Sequence, residues 1–124
     1  MLLDLNISKL GNVSMSMRQQ RLADEIRDVL AECFQGGLMS DPRLEQVTIT
    51  GVKLSPDLQL ASVYYRVYTD DAISDASQGL AVAAGFLRKE LARRLTVRRV
   101  PNLRFFYDES LEKASRIEDL LRKL

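Results

Sequence analysis

The chain has 124 residues, with 18 Lys and Arg against 17 Asp and Glu, a 46% hydrophobic fraction, and no histidine. This describes a folded domain able to bury a core without disulfide or metal staples. It also excludes Ser-His, Cys-His and zinc constellations, which lose their usual general base and commonest ligand.

The N-terminal tract MLLDLNISKLGNV is interrupted by Asp4, Asn6 and Lys9 well short of the roughly 18 apolar residues that span a bilayer. It lacks the charge-then-apolar order of a secretory signal, so residues 1–16 are expected to form a flexible arm and the protein to be cytoplasmic, away from membranes. From Met17 to Phe34, Leu22, Ile26, Val29, Leu30 and Phe34 mark one face of an amphipathic helix, with Ser16 as its cap and Gly36-Gly37 as its stop. Cys33, the single cysteine, sits on this helix near Ala31 and Phe34 and reads as a small buried hydrophobe.

After the Asp41-Pro42 turn, Val47 to Leu54 is β-branched and reads as a strand. Ser55-Pro56-Asp57 turns into a second strand over Leu58 to Tyr68, giving an antiparallel hairpin. In the second strand Ala61, Val63, Tyr65 and Val67 face the core, while Leu60, Ser62, Tyr64, Arg66 and Tyr68 face outward. Helical spacing resumes near Ile73 or Ser74 and continues to about Thr96 through Leu80, Ala84, Leu87, Leu91 and Leu95. Gly79 and Gly85 lie inside it. The small residues Ala83, Ala84 and Gly85 predict a break or kink, or close packing, before Phe86 and Leu87 reach the core. A short aromatic strand, Leu103 to Tyr107, follows Pro101, and Asp108 to Leu124 returns to helical spacing with Asp108 or Ser110 as cap. The residues thus predict an α+β fold, ordered helix, strand, strand, broken helix, strand and terminal helix.

The total charge of +1 hides a segregation. Between Phe86 and Arg104 stand Arg88, Lys89, Arg93, Arg94, Arg98, Arg99 and Arg104 against Glu90 alone. At about 100° per residue, Lys89 and Arg93 lie opposite the apolar stripe and Arg88 and Arg94 flank it. A basic tract in an otherwise acidic chain suits a polyanion, because phosphate contact rewards local charge. Arg98, Arg99 and Arg104 are expected to continue that surface. The carboxylate pairs Asp70-Asp71 and Glu118-Asp119 lack the opposed geometry of acid-base catalysis, and neither GxxxxGK[ST] nor GxGxxG is present. No catalytic residue, metal site, cofactor or small-molecule substrate is expected.

Four stretches, RQQRLADEIRDVL (18–30), VTITGVKLSPDLQLASVYY (47–65), AAGFLRKELARRL (83–95) and VRRVPNLRFFYDESL (97–111), together resemble the ribosome-binding factor A family. The SPDL turn entering A-x-VYY and the V-P-x-L-x-F-x-Y-D strand carry the likeness. It implies a type II KH-like domain over residues 17–108, a three-stranded sheet packed on helices, with a C-terminal helical tail over 109–124. KH domains grip RNA with a GxxG loop, which is absent here. The resemblance implies an Ala-x-Gly kink in its place, at Ala83-Ala84-Gly85. It further implies a non-catalytic, monomeric assembly factor that binds the immature small (30S) ribosomal subunit and its 16S rRNA near the decoding region and assists late maturation and rRNA processing. Two alternatives remain at this level: a generic binder of single-stranded RNA, and a protein-interaction module docking through Leu60, Tyr64 and Tyr68.

Overall fold

Helix α1 (Met17–Gln35) starts on a complete capping box: Ser16 Oγ accepts from the Gln19 amide at 3.1 Å, and Gln19 Oε1 accepts from the Ser16 amide at 2.7 Å. Gln19 is buried because its Nε2 also donates to the Leu54 carbonyl at 2.8 Å. One side chain therefore closes the helix start and ties it to the end of the first strand. The computed structural model describes residues 15–124, so the arm expected over residues 1–16 lies, up to residue 14, outside the described residues. The helix ends at Gly36, and Gly37 takes the positive φ of 79° that turns the chain away.

Strands β1 (Thr48–Leu54) and β2 (Leu60–Arg66) form the expected antiparallel hairpin. Its turn is cross-braced: the Leu58 amide donates to the Ser55 carbonyl, while Asp57 Oδ1 accepts from both Ser55 Oγ and the Gln59 amide. These bonds hold Leu58 at φ 63°, a left-handed conformation that disfavours a bulky residue and that its packing against the core offsets. The pairing shifts register between Ile49 and Gly51, leaving Thr50 as the extra residue. Strand β3 (Asn102–Tyr107) pairs with the other edge of β2, in parallel, so the sheet order is β1-β2-β3.

A parallel neighbour needs a long crossover, and helix α2 (Ile73–Arg94) supplies it. Both α1 and α2 cover one face of the sheet. Ala61, Val63 and Tyr65 point into that face as expected, with Leu22, Ile26, Leu30, Leu80, Leu87 and Leu91 packed over them. Each of these large side chains contributes about 1.5–3 kcal/mol through burial. Cys33 is fully buried in the same core, and burial pushes its thiol above the usual range. The last helix, α3 (Ser110–Arg122), follows β3 directly.

Helix α2 keeps one continuous helical span through Ala83-Ala84-Gly85, so this stretch does not break the helix: a single glycine costs about 1 kcal/mol and the adjoining alanines are the best helix formers. Details of its apolar stripe differ from the sequence expectation. Ala83, not Ala84, is the buried member of the stripe, and Phe86 is exposed while Leu87 alone reaches the core. The glycine that packing requires is Gly79, where a Cβ would stand 2.9 Å from Leu44 Cδ2 and 3.2 Å from Arg43 Cβ in the turn Pro42–Leu44. At Gly85 a Cβ would meet nothing within 4 Å.

The two glycines should therefore respond oppositely to the same change. Gly79→Ala should destabilise by about 1–2 kcal/mol, since the buried Leu44 has little room to yield and overpacking outweighs the propensity gain. Gly85→Ala should stabilise by about 1 kcal/mol. Urea unfolding of the two variants checks both signs.

Candidate nucleic-acid interface

The C-terminal half of α2 and the connection to β3 carry the basic tract, and its members fall into distinct electrostatic situations. Glu90, the tract's single carboxylate, is only 9% exposed and accepts from Arg93 Nη2 at 2.9 Å and Arg94 Nη2 at 3.3 Å. The hydrogen bond from Arg93 is the chief reason its carboxyl is held below the usual glutamate range. Arg94 also donates to Glu32 Oε1 of α1 at 2.8 Å, so its guanidinium is shared between two carboxylates and clamps the ends of the two helices together. Sequence spacing alone sets Arg94 beside Arg88 as a displayed cation; the fold makes it a structural one. Arg93 keeps its side chain 68% exposed despite its bond to Glu90.

Lys89 projects into solvent and makes no hydrogen bond or ion pair among the described residues. It shares one exposed row of α2, at four-residue intervals, with Ala81, Gly85 and Arg93. Exposed Val82 and Phe86 lie beside that row. Arg88 Nη2 donates to the Val100 carbonyl at 3.3 Å, fastening the connection back against α2 without neutralising the charge. Val97 and Val100 pack against the core, which turns Arg98 and Arg99 between them outward. Lys89, Arg93, Arg98 and Arg99 are thus exposed cations on α2 and the connection that follows it, Arg88 fastens the two together, and exposed Gly85 stands one helical turn before Lys89.

Arg104 does not continue this surface. It pairs in register with Ser62, whereas its neighbours Leu103 and Phe105 pair with Ala61 and Val63 and pack on the core. The two-residue alternation therefore points Arg104 away from the helices, on the open face of the sheet, exposed as expected but on the other side of the molecule. The same face carries Tyr64, Phe106 and Lys53.

Among the described residues, helix α3 is fastened to the rest of the fold at its beginning. Asp108 accepts from Thr50 Oγ1 at 2.7 Å and from the Ser110 amide at 2.9 Å, so Asp108 does the work expected of a cap although it precedes the helix by two residues. Glu112 pairs with Arg66 at 2.8 Å, and the Arg66 guanidinium lies over the Tyr107 ring at 5.2 Å. Beyond Glu112 every residue is exposed, including Ile117, Leu120 and Leu121. Among the described residues no helix is long and apolar enough to cross a membrane, and no group of three or more Cys, Asp and Glu side chains is arranged to hold a metal ion.

A model of the family described as Ribosome-binding factor A matches residues 18–121, which takes in the C-terminal helix that the motifs alone did not cover. The Ribosome-binding factor A of Anaeromyxobacter sp. (strain K) is 46% identical over 108 residues, spanning 86% of this chain and 78% of that protein. The crystal structure of ribosome-binding factor A from Thermus thermophilus superposes with a TM-score of 0.65 at 34% identity, over 72% of this chain and 93% of that one. Coordinates for the Thermus thermophilus protein fitted into the cryo-EM map of a 30S–RbfA complex give a TM-score of 0.59 at 33% identity, over 70% of this chain and 91% of that one.

The clamp makes a pH-dependent prediction. Glu90 is charged when folded down to a pH below its usual value, so the stability it confers is present above the ordinary glutamate range and is lost as pH falls through its depressed pKa. Arg94→Ala should lower the urea midpoint at pH 7, and the difference from the parent protein should shrink once Glu90 is protonated. Unfolding curves at pH 7 and pH 2.5 read this directly.

Proposed function

The chain belongs to the ribosome-binding factor A family, and from that premise we propose that it binds the immature small (30S) ribosomal subunit through its 16S rRNA and assists late maturation and rRNA processing without catalysis. On this reading it is a cytoplasmic monomer whose work is done by binding energy: a factor that prefers one rRNA conformation shifts the population by its differential affinity.

The observation that carries the reading is Gly85. A glycine in the interior of an exposed helical row lowers stability, and no atom of the described residues lies where its side chain would be. What the missing side chain serves is a partner outside the chain, approaching the helix backbone between Lys89 and the small residues Ala81 and Ala84. A phosphate backbone fits, since Arg88 and Lys89 stand one helical turn from the gap and Arg93, Arg98 and Arg99 extend the exposed cationic tract beyond them. This is the role a GxxG loop plays in a KH domain, performed by Ala83-Ala84-Gly85 on an unbroken helix. Arg94 serves the interface by positioning α2 on α1.

Two measurements test the assignment. Lys89→Ala with Arg93→Ala should weaken binding to small subunits and flatten its log-log salt dependence by roughly one unit per lost phosphate contact, with the fold intact. Gly85→Ala should weaken subunit binding while raising urea stability, a pairing that a structural role for Gly85 would not produce. Unchanged sedimentation with subunits in both variants would overturn the reading.

A further inference from the structure

Among the described residues no helix or strand packs over the sheet face opposite the helices, and its side chains form two parallel rows across the three strands. One row is Gly51, Tyr64 and Phe106, in register from β1 to β3. The Tyr64 and Phe106 rings lie 5.6 Å apart at 30°, and Phe106 is 43% exposed. The adjacent row is Lys53, Ser62 and Arg104, with Lys53 Nζ 5.6 Å from the Tyr64 ring centre. Rows two residues apart are separated by about 7 Å along the strands. Arg104 is exposed and makes no ion pair or hydrogen bond among the described residues. Asp24 of α1 lies at the β1 edge of this face, beside Lys53 and Tyr64, where it accepts from Gln20, and at the far end Asp108 is engaged with Thr50 and Glu112 with Arg66, so no carboxylate pairs with Arg104 among the described residues.

We propose that this face is a second RNA site, a platform on which unpaired bases stack against Phe106 and Tyr64 while Arg104 meets the adjoining phosphate. The chemistry selects this occupant. An aromatic row alone would suit any apolar partner, but an unneutralised guanidinium one row away, about the reach from a base to its phosphate, is complementary to a nucleotide. The rings are too close to admit a base between them, so stacking uses their outward faces. Ser62 and Gly51, the small members of the rows, leave the surface low enough for a strand to lie across it. Stacking is indifferent to base identity, which gives a site for single-stranded rRNA of any sequence. This site is distinct from the α2 face, which points to the opposite side of the molecule and is tested with different residues.

The test measures anisotropy of a labelled ten-nucleotide oligouridylate with the full chain. Tyr64→Leu with Phe106→Leu keeps apolar bulk and removes the π faces; circular dichroism and urea unfolding establish that it folds. Its Kd should rise about tenfold or more with an unchanged salt slope. Arg104→Gln should raise Kd less and reduce the log-log salt slope by about 0.7. Affinity of the double variant within twofold of the parent would overturn the proposal, whatever Lys89 and Arg93 do to subunit binding. Loss of subunit binding with oligouridylate binding retained would overturn it too, by assigning the rings to a protein contact.

Discussion

Strand β2 pairs antiparallel with β1 and parallel with β3, and the second pairing governs the architecture. A parallel neighbour cannot be reached by a tight turn, so the chain must cross the sheet, and α2 is that crossing. Because α1 already lies on the same face, the two helices bury Ala61, Val63 and Tyr65 from one side and leave Ser62, Tyr64 and Arg66 on the other. The parallel register also decides what stands beside what on the open face: Arg104 beside Ser62, Phe106 beside Tyr64. The cationic helical surface and the aromatic sheet face are both consequences of this one crossover.

The near-zero net charge conceals a division of labour among the cations. Glu90 is placed where burial would be unfavourable for an isolated carboxylate, and two guanidinium groups offset that. Arg94 extends the cluster to Glu32, tying helices whose contact is otherwise apolar. Structural pairing thus removes Arg94 from display, while Lys89, Arg98 and Arg99 have no charge partner among the described residues. The surface is cationic because Glu90, the tract's own carboxylate, sits inward while Lys89, Arg93, Arg98 and Arg99 point outward.

The C-terminal helix follows a different rule. Its first turn is held by polar bonds from Arg66, Thr50 and Asp108, and no part of it contributes to the core. An amphipathic pattern therefore does not by itself predict burial; a helix is buried only when the topology leaves it a surface to cover.

Much of this was legible along the chain. The capping box at Ser16, the SPDL turn, the inward set Ala61, Val63 and Tyr65, and the order of elements all follow from contacts between residues a few positions apart, which periodicity and turn chemistry report. Ala83-Ala84-Gly85 and the basic tract were equally visible as residue types. Their meaning was not. Gly79 and Gly85 look alike in sequence, and only the turn Pro42–Leu44 packed against α2 makes the first a steric necessity and leaves the second open to solvent. Arg94 and Arg93 are adjacent, yet Glu32, 62 residues away from Arg94, decides which is a clamp and which is displayed. Arg104 belongs to the basic tract by position and to the opposite face by pairing. Local sequence determines which way each side chain points on its own element; charge pairing, close packing and the face presented to a partner are set by what the fold brings alongside from far away in the chain.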